Sequence, residues 1–92
     1  MDISTIAEKL NIPVAKVRKE SVKDFLEKKL RESKAELFSL ANKYGVKSIK
    51  EFDYLIKKGE IHETPESRED FFKIDSLEIR CDLLKKLLKS LR

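Results

Sequence analysis

Hydrophobic residues recur at helical spacing in four segments of the chain, and no segment alternates polar and apolar residues as a strand does. The apolar positions of the first segment, residues 3–10, are Ile3, Ile6, Ala7 and Leu10. Asn11 and Pro13 end this segment, because a residue before proline avoids the helical conformation and Pro13 suits the first turn of a second helix. The pattern predicts a short N-terminal helix followed by a tight turn.

The second segment, from about residue 13 to residue 44, follows a heptad repeat. Its seam positions are Leu26, Leu30, Ser33, Leu37, Leu40 and Tyr44. Steps of four and three residues place such positions along one side of a helix, where a partner helix can pack. Gly45 favours a left-handed helix end, with Val46 folding back on the last turn.

Two further helices are predicted after Gly45. Ser48 and Glu51 form a capping box that opens a short helix ending at Gly59, and Thr64 with Pro65 begins a long one that continues to about Leu91. The long helix has a second heptad seam, at Ile74, Leu77, Cys81, Leu84, Leu88 and Leu91. Its period matches that of the first seam, so the two long helices are expected to pack together.

These elements predict an all-α fold, a long antiparallel helical hairpin with a short capped connecting helix and a short N-terminal helix. Residues 1–92 are expected to form a single helical domain, with residues 1–20 as the N-terminal part and residues 21–92 as the hairpin. A chain of 92 residues has room for one small core.

Composition limits the compartment. No apolar run approaches the ~20 residues that cross a bilayer, so no membrane is expected. A single cysteine cannot form an internal disulfide, which favours the cytoplasm. Gln and Trp are absent while Lys and Glu are abundant, as in heat-adapted proteins, so a thermophilic, archaeal source is expected; an AT-rich genome is the alternative explanation.

The residues of an active site are missing. His62 is the only histidine and lies in a short polar loop, so it is interpreted as an ordinary surface histidine. Cys81 occupies a seam position and is interpreted as a small core residue. The acidic cluster before and within the last helix lacks the spacing of a calcium loop and suits a helix N-terminus or a partner-facing patch. The sequence therefore predicts no enzyme, no catalytic, metal or cofactor-binding residue, and no small-molecule substrate.

Apolar residues outside the seams point to a partner. Phe71, Phe72, Ile79, Leu83 and Leu87 in the last helix, with Phe25 and Phe38 in the long helix, exceed what one hairpin partner covers. Burial against a copy of the chain, as a homodimer, or against another protein is expected. Residues 1–60 have net charge +4, residues 61–76 net −3 and residues 77–92 net +3, which raises the prospect of nucleic acid only slightly.

The N-terminal part resembles the helix-turn-helix of transcription regulators, from Ile6 to Lys19. Ala7 stands at the small position where two helices cross, Asn11 at the turn, and Val17 at the position that packs back. The resemblance implies DNA contact through Lys16, Arg18 and Lys19. The alternative is a plain helical corner that touches no DNA.

A second resemblance covers roughly residues 20–92. A charged helix ends in Lys43-Tyr44-Gly45, a short helix contains Glu51-Phe52, and an acidic aromatic stretch around Phe71 precedes a Leu-rich helix. This order resembles small helical antitoxin-type proteins of archaea. It implies a non-enzymatic protein that binds a toxin partner; with the surplus apolar residues, we expect a partner surface made of Arg68, Glu69, Asp70, Phe71, Phe72, Ile79, Leu83 and Leu87.

Overall fold

A computed structural model describes residues 1–91, which contain four α-helices and no strand. The helices are α1 (Ile3–Leu10), α2 (Val14–Tyr44), α3 (Ile49–Lys57) and α4 (Pro65–Ser90). The all-α prediction and the four helical segments are confirmed.

Left-handed residues end the first three helices. Asn11 has φ 54°, Gly45 φ 66° and Gly59 φ 81°. After each of them the next amide donates to the carbonyl five residues back, as Val46 does to Ala41 at 3.0 Å, which closes a Schellman motif. The chain therefore turns where its sequence supplies residues that tolerate a positive φ.

Side-chain caps begin three of the helices. Asp2 accepts a hydrogen bond from the Thr5 amide, and Ser48 accepts one from the Glu51 amide. The predicted capping box at α3 is only half formed, because the Glu51 carboxylate accepts from the Lys47 amide, at 3.4 Å, instead of the Ser48 amide. A complete box lies at α4 instead, where the Thr64 and Ser67 side chains each accept from the other's backbone amide.

The two heptad seams face each other in an antiparallel hairpin of α2 and α4. Ile74, Leu77, Cys81 and Leu84 are buried on α4, and the seam residues of α2 are buried or half-buried against them. At the far end of the hairpin the seam spacing of α2 continues as Lys16, Lys19 and Lys23. Leu91 lies level with that stretch, so α4 ends where α2 stops offering apolar seam positions.

Helix α3 packs across the other end of the hairpin, as predicted. Phe52 and Ile74 are fully buried there and form a core with Ala41 and Val46. The Phe52 ring lies 4.6 Å from the Tyr44 ring and 5.6 Å from the Phe71 ring, centre to centre. We call this the closed end; the other end of the hairpin, formed by residues 14–31 and 79–91, is the open end.

Helix α1 packs on the first turns of α2, at the open end, where Ala7 is buried. The molecule is a rod of 61 × 24 × 16 Å, and its cluster of buried apolar residues, with both fully buried large side chains, lies at the closed end. Among residues 1–91, no helix has the length and apolarity needed to cross a membrane.

Candidate partner-binding surface

Four large apolar side chains form a stripe on the outer side of α4. Phe72 is 65% exposed, Ile79 62%, Leu83 54% and Leu87 41%. Steps of seven, four and four residues keep them outside the buried seam along ~22 Å of the helix, turning from the side opposite the seam at Phe72 and Ile79 to the flank of the seam at Leu87. We call these four residues the outer stripe. The hairpin leaves these four side chains uncovered, with the exposed Ser76 between Phe72 and Ile79.

The polar residues predicted beside this stripe divide into two groups. Arg68 and Glu69 are exposed at its N-terminal end and are free to face a partner. Asp70 is buried, and Phe71 is half-buried with its ring against Phe52. Asp70 and Phe71 therefore belong to the closed-end core and its border rather than to the outer stripe.

Asp70 lies at the centre of a polar network that joins α2 to α4. Its carboxylate accepts hydrogen bonds from the Tyr44 hydroxyl and, at 2.8 Å, from Lys43 Nζ. Lys43 Nζ also donates to Glu66 Oε1 at 2.6 Å. The hydrogen bonds of the Asp70 carboxylate are therefore made within the chain, to residues of α2.

The network shifts the ionisation of its members. The hydrogen bond from Lys43, with that from Tyr44, holds the pKa of the Asp70 carboxyl below its usual value. The pKa of Lys43 is raised by its bonds to Asp70 and Glu66. Burial, followed by the neighbouring Asp70 carboxylate, raises the pKa of the Tyr44 hydroxyl. At neutral pH the carboxylate is therefore ionised and the phenol neutral, as donation from Tyr44 to Asp70 requires.

The long helix adds two more exposed aromatic side chains. Phe25 is 58% exposed, near the open end, and Phe38 is 72% exposed, beside Val46 and Lys47. Four phenylalanines were expected outside the seams. Three of them, Phe25, Phe38 and Phe72, are exposed, and the fourth, Phe71, is half-buried. The surplus of apolar surface predicted from the sequence is present in the folded chain.

The N-terminal part has the local geometry that its resemblance implies. Ala7 is 1% exposed, Asn11 adopts the left-handed conformation, and Val17 is half-buried on α2. Lys16, Arg18 and Lys19 are all exposed in the first turns of α2. Lys16 and Lys19, three residues apart, share one face of the helix, but Arg18 points away from Lys16 because residues two apart do not face each other.

His62 and Cys81 are not part of the outer stripe. His62 is exposed, with its carbonyl accepting a hydrogen bond from the Ser67 hydroxyl, and Cys81 is buried in the seam. No group of three His, Cys, Asp or Glu side chains in residues 1–91 is placed to hold a metal ion.

Comparison with known proteins places the chain in a family. A family model described as "Uncharacterized protein MJ0235 family" matches residues 1–92. The chain belongs to this family. No curated protein and no solved structure matches it. Because the match includes the N-terminal turn as well as the hairpin, the family's sequence pattern spans both surfaces described above.

Two inward contacts in this family member were not anticipated from its sequence. Asp70 was assigned to the partner surface, although it stands four residues before Ile74 and so continues the seam spacing inward. The Glu78 carboxylate accepts a hydrogen bond from the Ile49 amide, at 2.6 Å, and thereby holds the start of α3 against α4. Only the seam spacing indicates the first contact, and no local sequence signal indicates the second.

Proposed function

We propose that this chain is a non-enzymatic protein-interaction module of antitoxin type, which binds a partner toxin protein and neutralises it. The observation that supports this proposal is the outer stripe, four large apolar side chains exposed on one helix of a folded chain. Single exposed apolar residues are common on protein surfaces, but several of them gathered along one helix are typical of a protein-binding surface. The resemblance of residues 20–92 to antitoxin-type proteins supplies the class of partner.

Phe72 is the expected anchor of the complex. It is the most exposed large side chain of the stripe, and aromatic anchors usually contribute much of the binding energy of an interface. Phe72→Ala is expected to weaken the complex by about 2–4 kcal/mol. The same change leaves the free chain folded, because Phe72 contributes little to the closed-end core.

The test is co-expression with the product of the adjacent gene. We expect that product to inhibit growth when it is expressed alone, and the chain to restore growth and to co-purify with it. Phe72→Ala combined with Ile79→Ala should abolish both effects. Phe38→Ala, which removes an even more exposed aromatic ring from another surface, is the matched control and should preserve them.

Two results contradict this proposal. The first is a neighbouring gene product that neither inhibits growth nor binds the chain. The second is an undiminished yield of complex with the Phe72→Ala, Ile79→Ala variant.

A DNA-binding regulator is a second candidate function, favoured by the α1–turn–α2 geometry and by the two lysines that share a face, Lys16 and Lys19. If both contact phosphates, log affinity for duplex DNA falls with log salt concentration by about 0.9 per contact. Lys16→Gln with Lys19→Gln should then reduce that slope by about 2, whereas the exposed Lys47→Gln control should not. Absence of DNA binding at low salt contradicts this candidate.

A further inference from the structure

The ion pair between Lys43 and Glu66 defines which residues face each other along one side of the hairpin. Lys43 Nζ lies 2.6 Å from Glu66 Oε1, across the flank of the α2–α4 seam. Because a heptad repeat returns to the same flank, residues three heptads before Lys43 and three heptads after Glu66 also face each other. These residues are Val22 and Leu87. The flank that begins with an ion pair at the closed end thus reaches an apolar pair at the open end.

Two more apolar residues widen this pair into a patch. Phe25 lies one turn after Val22 on α2, and Leu83 lies one turn before Leu87 on α4, so both are on the same side of the hairpin. Val22 is 47% exposed and Phe25 58%, and both α4 residues belong to the outer stripe. We call Val22, Phe25, Leu83 and Leu87 the open-end patch. It straddles the groove between the two helices, where a third helix can lie.

The rim of the open-end patch is basic. Lys29 lies two heptads before Lys43 on α2, and Arg80 lies two heptads after Glu66 on α4. These two residues of like charge therefore face each other on the same flank of the hairpin. Lys29 pairs only loosely, with Nζ 3.7 Å from Glu32 Oε2, and its Nζ lies 5.6 Å from the centre of the Phe25 ring. Within residues 1–91, Arg80 forms no ion pair.

The wider open end has the same sign of charge. Residues 14–31 and 79–91 together contain eleven Lys and Arg against four Asp and Glu, a net charge of +7. Residues 32–78, which include the closed end, contain eight against eleven, a net charge of −3. A ligand of the open-end patch therefore contacts apolar side chains in a region of strongly positive electrostatic potential.

We infer that the open-end patch binds an acidic amphipathic helix of the partner protein, seated in the groove between α2 and α4. Apolar side chains of that helix would cover Leu83, Leu87 and Phe25, and its carboxylates would pair with Arg80 and Lys29. This inference rests on the proposed function in that it specifies how the partner protein is recognised. It adds α2 to a surface that the sequence assigned to α4 alone.

The two other possible occupants fit the patch less well. A second copy of the chain in a two-fold dimer would present the same patch, so its Arg80 and Lys29 would oppose their counterparts. A nucleic acid would satisfy the basic rim but would leave Phe25, Leu83 and Leu87 without an apolar partner. An acidic amphipathic helix provides carboxylates for the basic rim and apolar side chains for the patch itself.

The experiment presents the full chain with a displayed library of helices two to three turns long. Their apolar stripe is fixed as leucine, and the positions beside the stripe vary between Glu, Gln and Lys. We expect selection of Glu at those positions. Each selected helix should bind at least tenfold more tightly than its Lys counterpart at low salt. Arg80→Glu with Lys29→Glu should invert the selection towards Lys.

The patch itself is tested by serine substitutions of exposed residues, and circular dichroism should show that each variant keeps its fold. Leu83→Ser with Leu87→Ser should weaken the selected helix tenfold or more, and Phe38→Ser, the control outside the patch, should leave its affinity unchanged. Equal selection of Glu and Lys, or no helix selected, overturns the inference. So does a dimer in sedimentation that the serine variants dissociate, or duplex DNA that displaces the helix.

The outcome is separable from that of the proposed function. The library experiment does not involve the neighbouring gene product, so a failed co-expression with normal selection of acidic helices rejects the toxin partner and keeps the inference. Successful co-expression that is insensitive to Arg80→Glu and Lys29→Glu keeps the partner and rejects the acidic helix.

Discussion

Asp70→Asn should lower the free energy of unfolding by about 2 kcal/mol. The substitution keeps the size of the side chain and removes the charge that the Tyr44 hydroxyl and the Lys43 ammonium face. A hydrogen bond to a charged group contributes about 1.5–3 kcal/mol. The Lys43 side chain is 45% exposed, so water screens the contribution of Lys43, and most of the loss comes from the partly buried bond to Tyr44.

Urea denaturation followed by circular dichroism measures this loss, and thermal denaturation should show the midpoint falling by about 8–16 °C. Glu69→Gln is the matched control, because Glu69 is an exposed carboxylate next to Asp70, and its change should stay within about 0.5 kcal/mol. A double-mutant cycle with Tyr44→Phe should give a coupling energy of at least about 1 kcal/mol, since the two side chains share one hydrogen bond.

The loss should also depend on pH. The folded chain lowers the pKa of Asp70, so this carboxylate stabilises the fold fully above the unfolded pKa of about 3.9. That stabilisation is lost as the pH falls through the folded pKa, and the difference between the wild type and Asp70→Asn should shrink below about pH 4. A coupling energy under about 0.5 kcal/mol, or a difference that persists undiminished at about pH 2, would refute this account of the network.

Three further predictions concern the helix ends and the closed-end core. Phe52→Ala should cost about 3–5 kcal/mol in urea denaturation, because it opens a cavity where the ring is fully buried, and a loss under about 1 kcal/mol would contradict the described packing. Gly45→Ala should cost about 1–2 kcal/mol through its φ of 66° alone, since no atom lies within 4 Å of the added methyl group; an unchanged midpoint would exclude a left-handed Gly45. Thr64→Ala should cost about 1 kcal/mol as a lost cap, and Thr64→Ser should recover most of it if the hydroxyl is responsible.

The fold could be predicted because its determinants are local. The heptad spacing of each long helix depends only on residues three or four apart, and the turns depend on single residues such as Asn11 and Gly45. Two seams of equal period and one short connecting helix leave an antiparallel hairpin as the simple way to bury both seams. The half-formed capping box at Ser48 shows the limit of such local signals. The Glu51 carboxylate can accept from the Lys47 amide or from the Ser48 amide, and the sequence does not distinguish the two.

The partner surface was predicted less completely because exposure is a tertiary property. Asp70 and Phe72 lie two residues apart in an acidic aromatic stretch, but one faces Tyr44 and the other faces solvent. Sequence alone did not show that α3 would cover the side of α4 next to Phe71. Likewise, Val22 and Leu87 are 65 residues apart, and only the pairing of the two helices makes them neighbours.

The concentration of buried residues at the closed end has a consequence for amide hydrogen exchange. Amides near Phe52 and Ile74 should exchange only when the whole chain unfolds, since no smaller opening exposes them. Amides of α1 and the first turns of α2 lie near a single buried apolar residue, Ala7, and should exchange through local fraying. Protection should therefore decline steadily along the rod, and a helix bound between Val22 and Leu87 should slow exchange in the half of the molecule that is otherwise least protected.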